Sequence, residues 1–161
     1  MAEPLNLNYY KSNELPPTLW RVTHANSQSQ WNENGDMVAA ELWDKFYDED
    51  DLGQAVQRHV YWSHRAGSSC FLSVFSNNCH AQSWALRIAK PHRPACIYEI
   101  DTSKLSNEVH VLDMKMLMDG LGVDNKWPDD ELLFLNRIPS SSISAMQILV
   151  DNQKAISNEQ Y

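Results

Sequence analysis

The chain has 161 residues, which fits one domain and is too short for two ordinary ones. Its hydrophobic fraction is a modest 43%, but six Trp, six Tyr and four Phe are an aromatic load that excludes a disordered chain. A formal charge of -8, from 21 acidic against 13 basic residues, argues against a broad nucleic-acid or anionic-membrane surface, since both need Lys and Arg.

Residues 1–18 read as an extended arm ending in Pro16-Pro17, with Tyr9 and Tyr10 placed to pin it to the body. A domain over 19–151 and a polar tail over 152–161 follow. Leu19 to His24 has the β-propensity of a short strand, and the polar stretch from Ala25 to Gly35 reads as a loop. Asp36 is placed to cap a helix reaching Tyr47, with Ala39, Leu42, Trp43 and Phe46 on one face. Asp48 to Asp51 form an acidic turn that suits a helix N-terminus. The helix expected over 51–64 carries Leu52, Ala55, Val56, His59 and Val60 at helical spacing, and Gly67 ends that region.

Ser69 to Phe75 reads as a strand, and Ser76, Asn77 and Asn78 are all good caps for a helix over 79–89. Strands are expected at Cys96 to Asp101 and Val109 to Leu112, then a helix capped by Asp113 and closed by Gly122. After a polar loop through Trp127 and Pro128, Glu131 to Asn136 is an apolar strand that opens with an acid. Ser140 to Ser142 make a turn, and Ala145 to Val150 is a closing strand. Regular βαβ alternation is missing, so the expected class is α+β: one domain with two small, mainly antiparallel sheets forming a cleft, flanked by about four helices.

Several chemistries lack their signatures. There is no GxGxxG and no GKS or GKT, and five glycines make a Gly-cradled nucleotide site improbable. The six histidines show no metal-ligand spacing, His59 and His64 being five apart, so no metal is expected. Three cysteines without CxxC spacing exclude a disulfide framework. A cysteine-dependent hydrolase around Cys70 or Cys79 is a poor third option, because thiols in apolar surroundings are inert. MAEPLNLNYYKSNELPP has no basic start before an apolar run, and no stretch approaches membrane-spanning length, so a cytoplasmic location is expected. What remains is three polar residues on three separate strands: Arg21, Ser73 and Glu131. Singly they read as an edge-strand arginine, a small core serine and a solvated loop end. Together they can line one cleft.

The ordered set resembles ADP-ribosyltransferases of the cholera- and pertussis-toxin type. In that group an early strand carries an arginine, a second carries aromatic-x-Ser-Thr-Ser before an Ala-containing helix, and a late strand opens with Glu-x-Glu or Gln-x-Glu. Leu19-Trp20-Arg21-Val22 is similar to the first, Phe71-Leu72-Ser73-Val74-Phe75-Ser76 to the second, and Asp129-Asp130-Glu131-Leu132 to the third. The serine core reads Ser73-Val74-Phe75, its last serine replaced or shifted to Ser76, and Asp129 stands where the group has Glu or Gln. The phrases SVFSNNCHAQSWA, YEIDTSKL and ELLFLNRIP also resemble an uncharacterised domain family common in filamentous fungi.

The resemblance implies NAD as the substrate and a toxin-like transferase of the glycosyltransferase class, or an NAD glycohydrolase if water is the acceptor. Glu131 would stabilise the oxocarbenium-like transition state. Arg21 would pair with NAD phosphates or the adenosine ribose, and Ser73 would orient Glu131 or the ribose. Phe75 or Trp84 would stack on nicotinamide, His24 would hold the adenosine side, and Ser76 and Asp129 would complete the set. The acceptor is an unknown protein or small molecule rather than nucleic acid. The rival expectation is an inactive, ADP-ribosyltransferase-like interaction module that binds a protein partner.

Overall fold

A computed structural model describes residues 2–12, 14–61, 69–122 and 129–150. The expected helix end at 62–64, the stop at Gly67, the loop at Trp127 and Pro128, and the tail after Asp151 lie outside the described residues.

The strands are β1 (Thr18–Thr23), β2 (Gln30–Trp31), β3 (Met37–Val38), β4 (Phe71–Phe75), β5 (Ala95–Asp101), β6 (Val111–Asp113), β7 (Glu131–Leu135), β8 (Arg137–Ile138) and β9 (Ile143–Leu149). The helices are α1 (Glu49–Tyr61), α2 (Asn78–Ile88) and α3 (Met114–Gly120). One sheet runs β6-β7-β4-β1-β5-β9 and the other β2-β3-β8, and every pairing is antiparallel. This is a single α+β domain with antiparallel sheets.

Side-chain alternation along the strands builds three layers. Phe71 and Leu133 face α1 and α3, where Leu52, Val56, Met114 and Leu117 complete a core. Val22, Phe75 and Ile97 share that face and meet Ala81 and Ala85 of α2. The alternate residues Leu19, Leu72, Val74, Leu132 and Phe134 pack on Met37 and Ile138 of the small sheet. β4 and β7 are covered on both faces, which is why they read as near-continuous apolar runs.

The helix starts follow from their caps. The Asp48 carboxylate accepts the Asp51 N–H (2.8 Å) ahead of an acidic first turn, Asn77 accepts from the His80 N–H (3.3 Å) and Asp113 from the Met116 N–H (3.1 Å). The arm docks through Tyr10, which is buried and donates its hydroxyl to Glu49 (3.0 Å), while Tyr9 is exposed.

Three expectations need correction. The helix from Asp36 to Tyr47 does not form, so among the described residues three α-helices flank the sheets rather than about four. The Asp36 carboxylate instead accepts the Ser140 N–H (2.7 Å) and pairs with Arg137 (3.3 Å), which ties β3 to the far end of the small sheet. Residues 39–43 then run as irregular chain, with Ala39 N–H donating to the Asn136 carbonyl and Glu41 N–H to the Ser69 carbonyl. Leu42, assigned to the apolar face, is exposed. The stretch from Ala25 to Gly35 is not all loop, because β2 lies within it and hairpins onto β3 through Gly35 at φ +79°. Finally, the sheets are unequal, six strands against three, rather than two small ones.

Candidate functional site

The site lies where the large sheet parts. β1 and β5 share six registered pairs and β4 and β7 five, but β1 and β4 meet at one, Trp20 with Phe75. Beyond that pair the strands separate, and the Arg21 side chain takes the place of a ladder bond by donating from Nη1 to the Ser73 carbonyl (2.9 Å). A cleft of about 450 Å³ opens at this seam. Its lining includes Arg21 and Val22 of β1 and Leu72 and Ser73 of β4. Adjacent strand residues point to opposite faces, so both can reach one cavity only because the sheet has split.

Polar groups converge there. Arg21 also approaches Ser29 Oγ from Nη2 (3.3 Å), and its Nε is buried with no hydrogen-bond partner among the described residues. Burial pulls the guanidinium pKa down to about 10, against the charge of Glu131, which holds it up; Arg21 is therefore cationic at neutral pH. Glu131 is buried at the first position of β7, opposite Phe75.

His59 of α1 is also buried, and its two ring nitrogens are both engaged: Nδ1 lies 2.7 Å from Ser69 Oγ and Nε2 2.7 Å from Ser73 Oγ. Burial first, and then the charge of Arg21, push its pKa down to about 3, so the ring is neutral. His24 is shifted the same way by burial and by the charges of Arg21 and Lys90.

A family model described as "Domain of unknown function (DUF7587)" matches residues 14–151. The chain belongs to that family. No curated protein and no solved structure matches it. The DUF7587 match spans the whole cleft, from Arg21 to Glu131.

In this DUF7587 domain the residues singled out from sequence divide cleanly. Arg21, Ser73 and Glu131, on three adjacent strands, line the one cleft, together with His24, Phe75 and Trp84. Ser76 and Asp129 are not part of its lining. Ser76 is turned to the Asp130 carbonyl, which its N–H reaches at 2.9 Å, and Asp129 is exposed and paired with Lys115 (3.6 Å). Neither Cys70 nor Cys79 lines the cleft. Burial pushes the Cys70 thiol up to about 12, which makes it inert, and Cys79 is exposed rather than set in apolar surroundings. No group of three or more metal-ligating side chains occurs among the described residues, and no described helix is long and apolar enough to cross a membrane.

Sequence reasoning missed three contributors. His59 was absorbed into the apolar stripe of its helix, and its spacing gives no sign of a polar task. Ser29 sat in a stretch read as loop. His80 lines the cleft, packs its ring on Phe75 at 4.4 Å and bonds the Asp130 carboxylate from Nδ1 at 2.8 Å, which anchors the residue just before Glu131. The signal available for His80 was its place one turn behind the Asn77 cap, directly over the end of β4.

Proposed function

We propose that the domain cleaves the nicotinamide–ribose bond of NAD, as an NAD glycohydrolase or a mono-ADP-ribosyltransferase. The observation that carries this reading is the meeting of Arg21, Ser73 and Glu131 in one cleft, from strands far apart in sequence. Bond cleavage leaves positive charge on the ribose, and the electron pair departs with nicotinamide. A buried carboxylate stabilises that charge strongly because little water screens it. Glu131 is the carboxylate so placed. Ser73 serves as its polar neighbour on β4, and Phe75 and Trp84 offer rings for a flat leaving group. Arg21 gives one N–H from Nη1 to a main-chain carbonyl and one from Nη2 to Ser29, two of the five donors of a guanidinium, and the others are what it could offer a phosphate. Asp129, exposed and 3.6 Å from Lys115, stands outside the cleft lining at the position that selects an acceptor in the resembling group.

A second reading, an inactive interaction module, draws support from one observation: each terminal nitrogen of Arg21 already makes one bond to a protein group, which gives the arginine a structural task. One experiment separates the two. Purified protein is incubated with NAD and free nicotinamide is followed, with Glu131→Gln as control. Nicotinamide release that falls by a factor on the order of 10²–10³ in the variant, while its circular dichroism shows it still folded at the assay temperature, is the expected result. No release by either form, even with cell extract supplied as acceptor, overturns the enzymatic reading.

A further inference from the structure

Among the described residues two arginines lie over tryptophan rings. Arg58 Cζ is 5.4 Å from the centre of the Trp43 ring, and Arg87 Cζ is 5.7 Å from that of Trp84. They differ in what else they meet. Arg58 stands outside the cleft and faces the Glu41 carboxylate at 3.9 Å. Arg87 lines the cleft, and its guanidinium has no hydrogen bond and no carboxylate partner among the described residues. Helix geometry puts it there. His80, Trp84 and Arg87 follow one another at four and then three residues, so they share one face of α2, and all three line the cleft. The His80 ring packs on Phe75, which is registered opposite Glu131. Seven residues further along the helix, about 10 Å, stands Arg87. The stripe therefore runs from the Glu131 end of the cleft, past the Trp84 ring, to a guanidinium. Lys90 follows within the next turn, and its charge, after burial and Arg21, helps to push down the pKa of His24, another residue of the lining.

Charge points the same way. The chain carries a formal charge of -8, yet the cleft lining holds two arginines, Arg21 and Arg87, against the single carboxylate of Glu131. A positive cleft on an acidic molecule gathers anionic ligands. We propose that Arg87, held over Trp84, binds a phosphate of the ligand, so that the cleft selects a nucleotide diphosphate over its nucleoside. The planar fork of a guanidinium suits two-point contact with a phosphate, and one face of it stays free to rest on a ring. The ring also narrows the rotamers of the side chain before the ligand arrives, which lowers the cost of binding. The proposal rests on the NAD reading for the kind of ligand, but not on bond cleavage.

The test is calorimetric titration of the full chain with ADP-ribose, which keeps both phosphates of NAD, lacks nicotinamide and needs no turnover. Adenosine, without phosphate, is the paired ligand. The wild type is expected to bind ADP-ribose and to bind adenosine far more weakly. Arg87→Ala should weaken ADP-ribose binding about tenfold, the loss of one charge-assisted contact, and leave adenosine unaffected. Arg87→Lys, which keeps the charge but not the fork, should recover part of that loss. Arg58→Ala removes an equal charge from the other tryptophan, outside the cleft, and should leave ADP-ribose affinity unchanged. Both arginines are exposed, so the variants are expected to fold, and circular dichroism checks it. A wild type that does not bind ADP-ribose overturns the proposal. So does Arg87→Ala binding as tightly as wild type, or Arg58→Ala losing as much. The two readings fail separately. ADP-ribose binding that depends on Arg87, without any nicotinamide release from NAD, supports the phosphate site and overturns the enzymatic reading. Nicotinamide release with the same KM for NAD in wild type and Arg87→Ala supports the enzymatic reading and overturns the phosphate site.

Discussion

The buried cationic and titratable groups of the cleft set a definite pH response. His59 has its folded-state pKa pushed to about 3, against roughly 6.5 in an unfolded chain, and His24 and His110 are shifted downward too, chiefly by burial. Below 6.5 the unfolded state therefore binds more protons than the folded one. The contribution is fully present above pH 6.5 and is lost progressively as pH falls toward 3. Asp36 is held below its usual pKa, first by the Ser140 N–H, so its own contribution is lost only at lower pH. Urea unfolding at pH 7 and pH 5 reads the histidines with little interference: stability is expected to drop at pH 5, and the drop to shrink in His59→Gln. An equal drop in both proteins would show that His59 titrates normally. None of this was visible in the sequence. The residue at position 59 could be read only as one more member of a helical stripe, because what makes it special is the pair of serines on β4 and just before it.

Most elements announced themselves through local chemistry. Asn77 and Asp113 fixed two helix starts, the acidic run opened α1, and the apolar runs of β4, β5 and β7 were plain. The failure at residues 36–47 has a distant cause. Asn136, with φ +68°, sits between β7 and β8 and clamps Trp43: its Oδ1 accepts the Trp43 N–H and its Nδ2 donates to the Trp43 carbonyl, both at 2.8 Å. A side chain 93 positions away thus supplies main-chain bonds that a helix would have made internally, and no local pattern can register that. Asn136→Ala should cost about 2–4 kcal/mol, from two lost half-buried bonds and from the left-handed backbone that alanine resists. Asn136→Gly removes the bonds but relieves the backbone, so it should be the milder variant by about 1 kcal/mol in chemical denaturation. The reverse order would mean that the left-handed turn at this position costs alanine little.

At the scale of the molecule, the order β6-β7-β4-β1-β5-β9 joins two three-stranded halves along one seam. The type and order of the large-sheet strands and of α1, α2 and α3 were legible, as was the idea that three strands bring polar residues together, but the small sheet was not. The central place of β1, and the split beside it, were not, because nothing within Thr18–Thr23 says which strands will flank it. With a single registered pair across the seam, the halves should open more readily from each other than within themselves. Native-state hydrogen exchange tests this: amides of β1 that pair with β5 are expected to be better protected than those facing β4, and uniform protection across β1 would contradict it. The same topology has a consequence for synthesis. β1 leaves the ribosome early, but its main partner, β5, follows only after β4 and α2, and β9 closes that half later still. At about 5–20 residues per second, the first strand spends seconds as an unpaired edge. Until β5 and β9 have been made, β1 therefore presents backbone N–H and C=O groups that another chain could pair with.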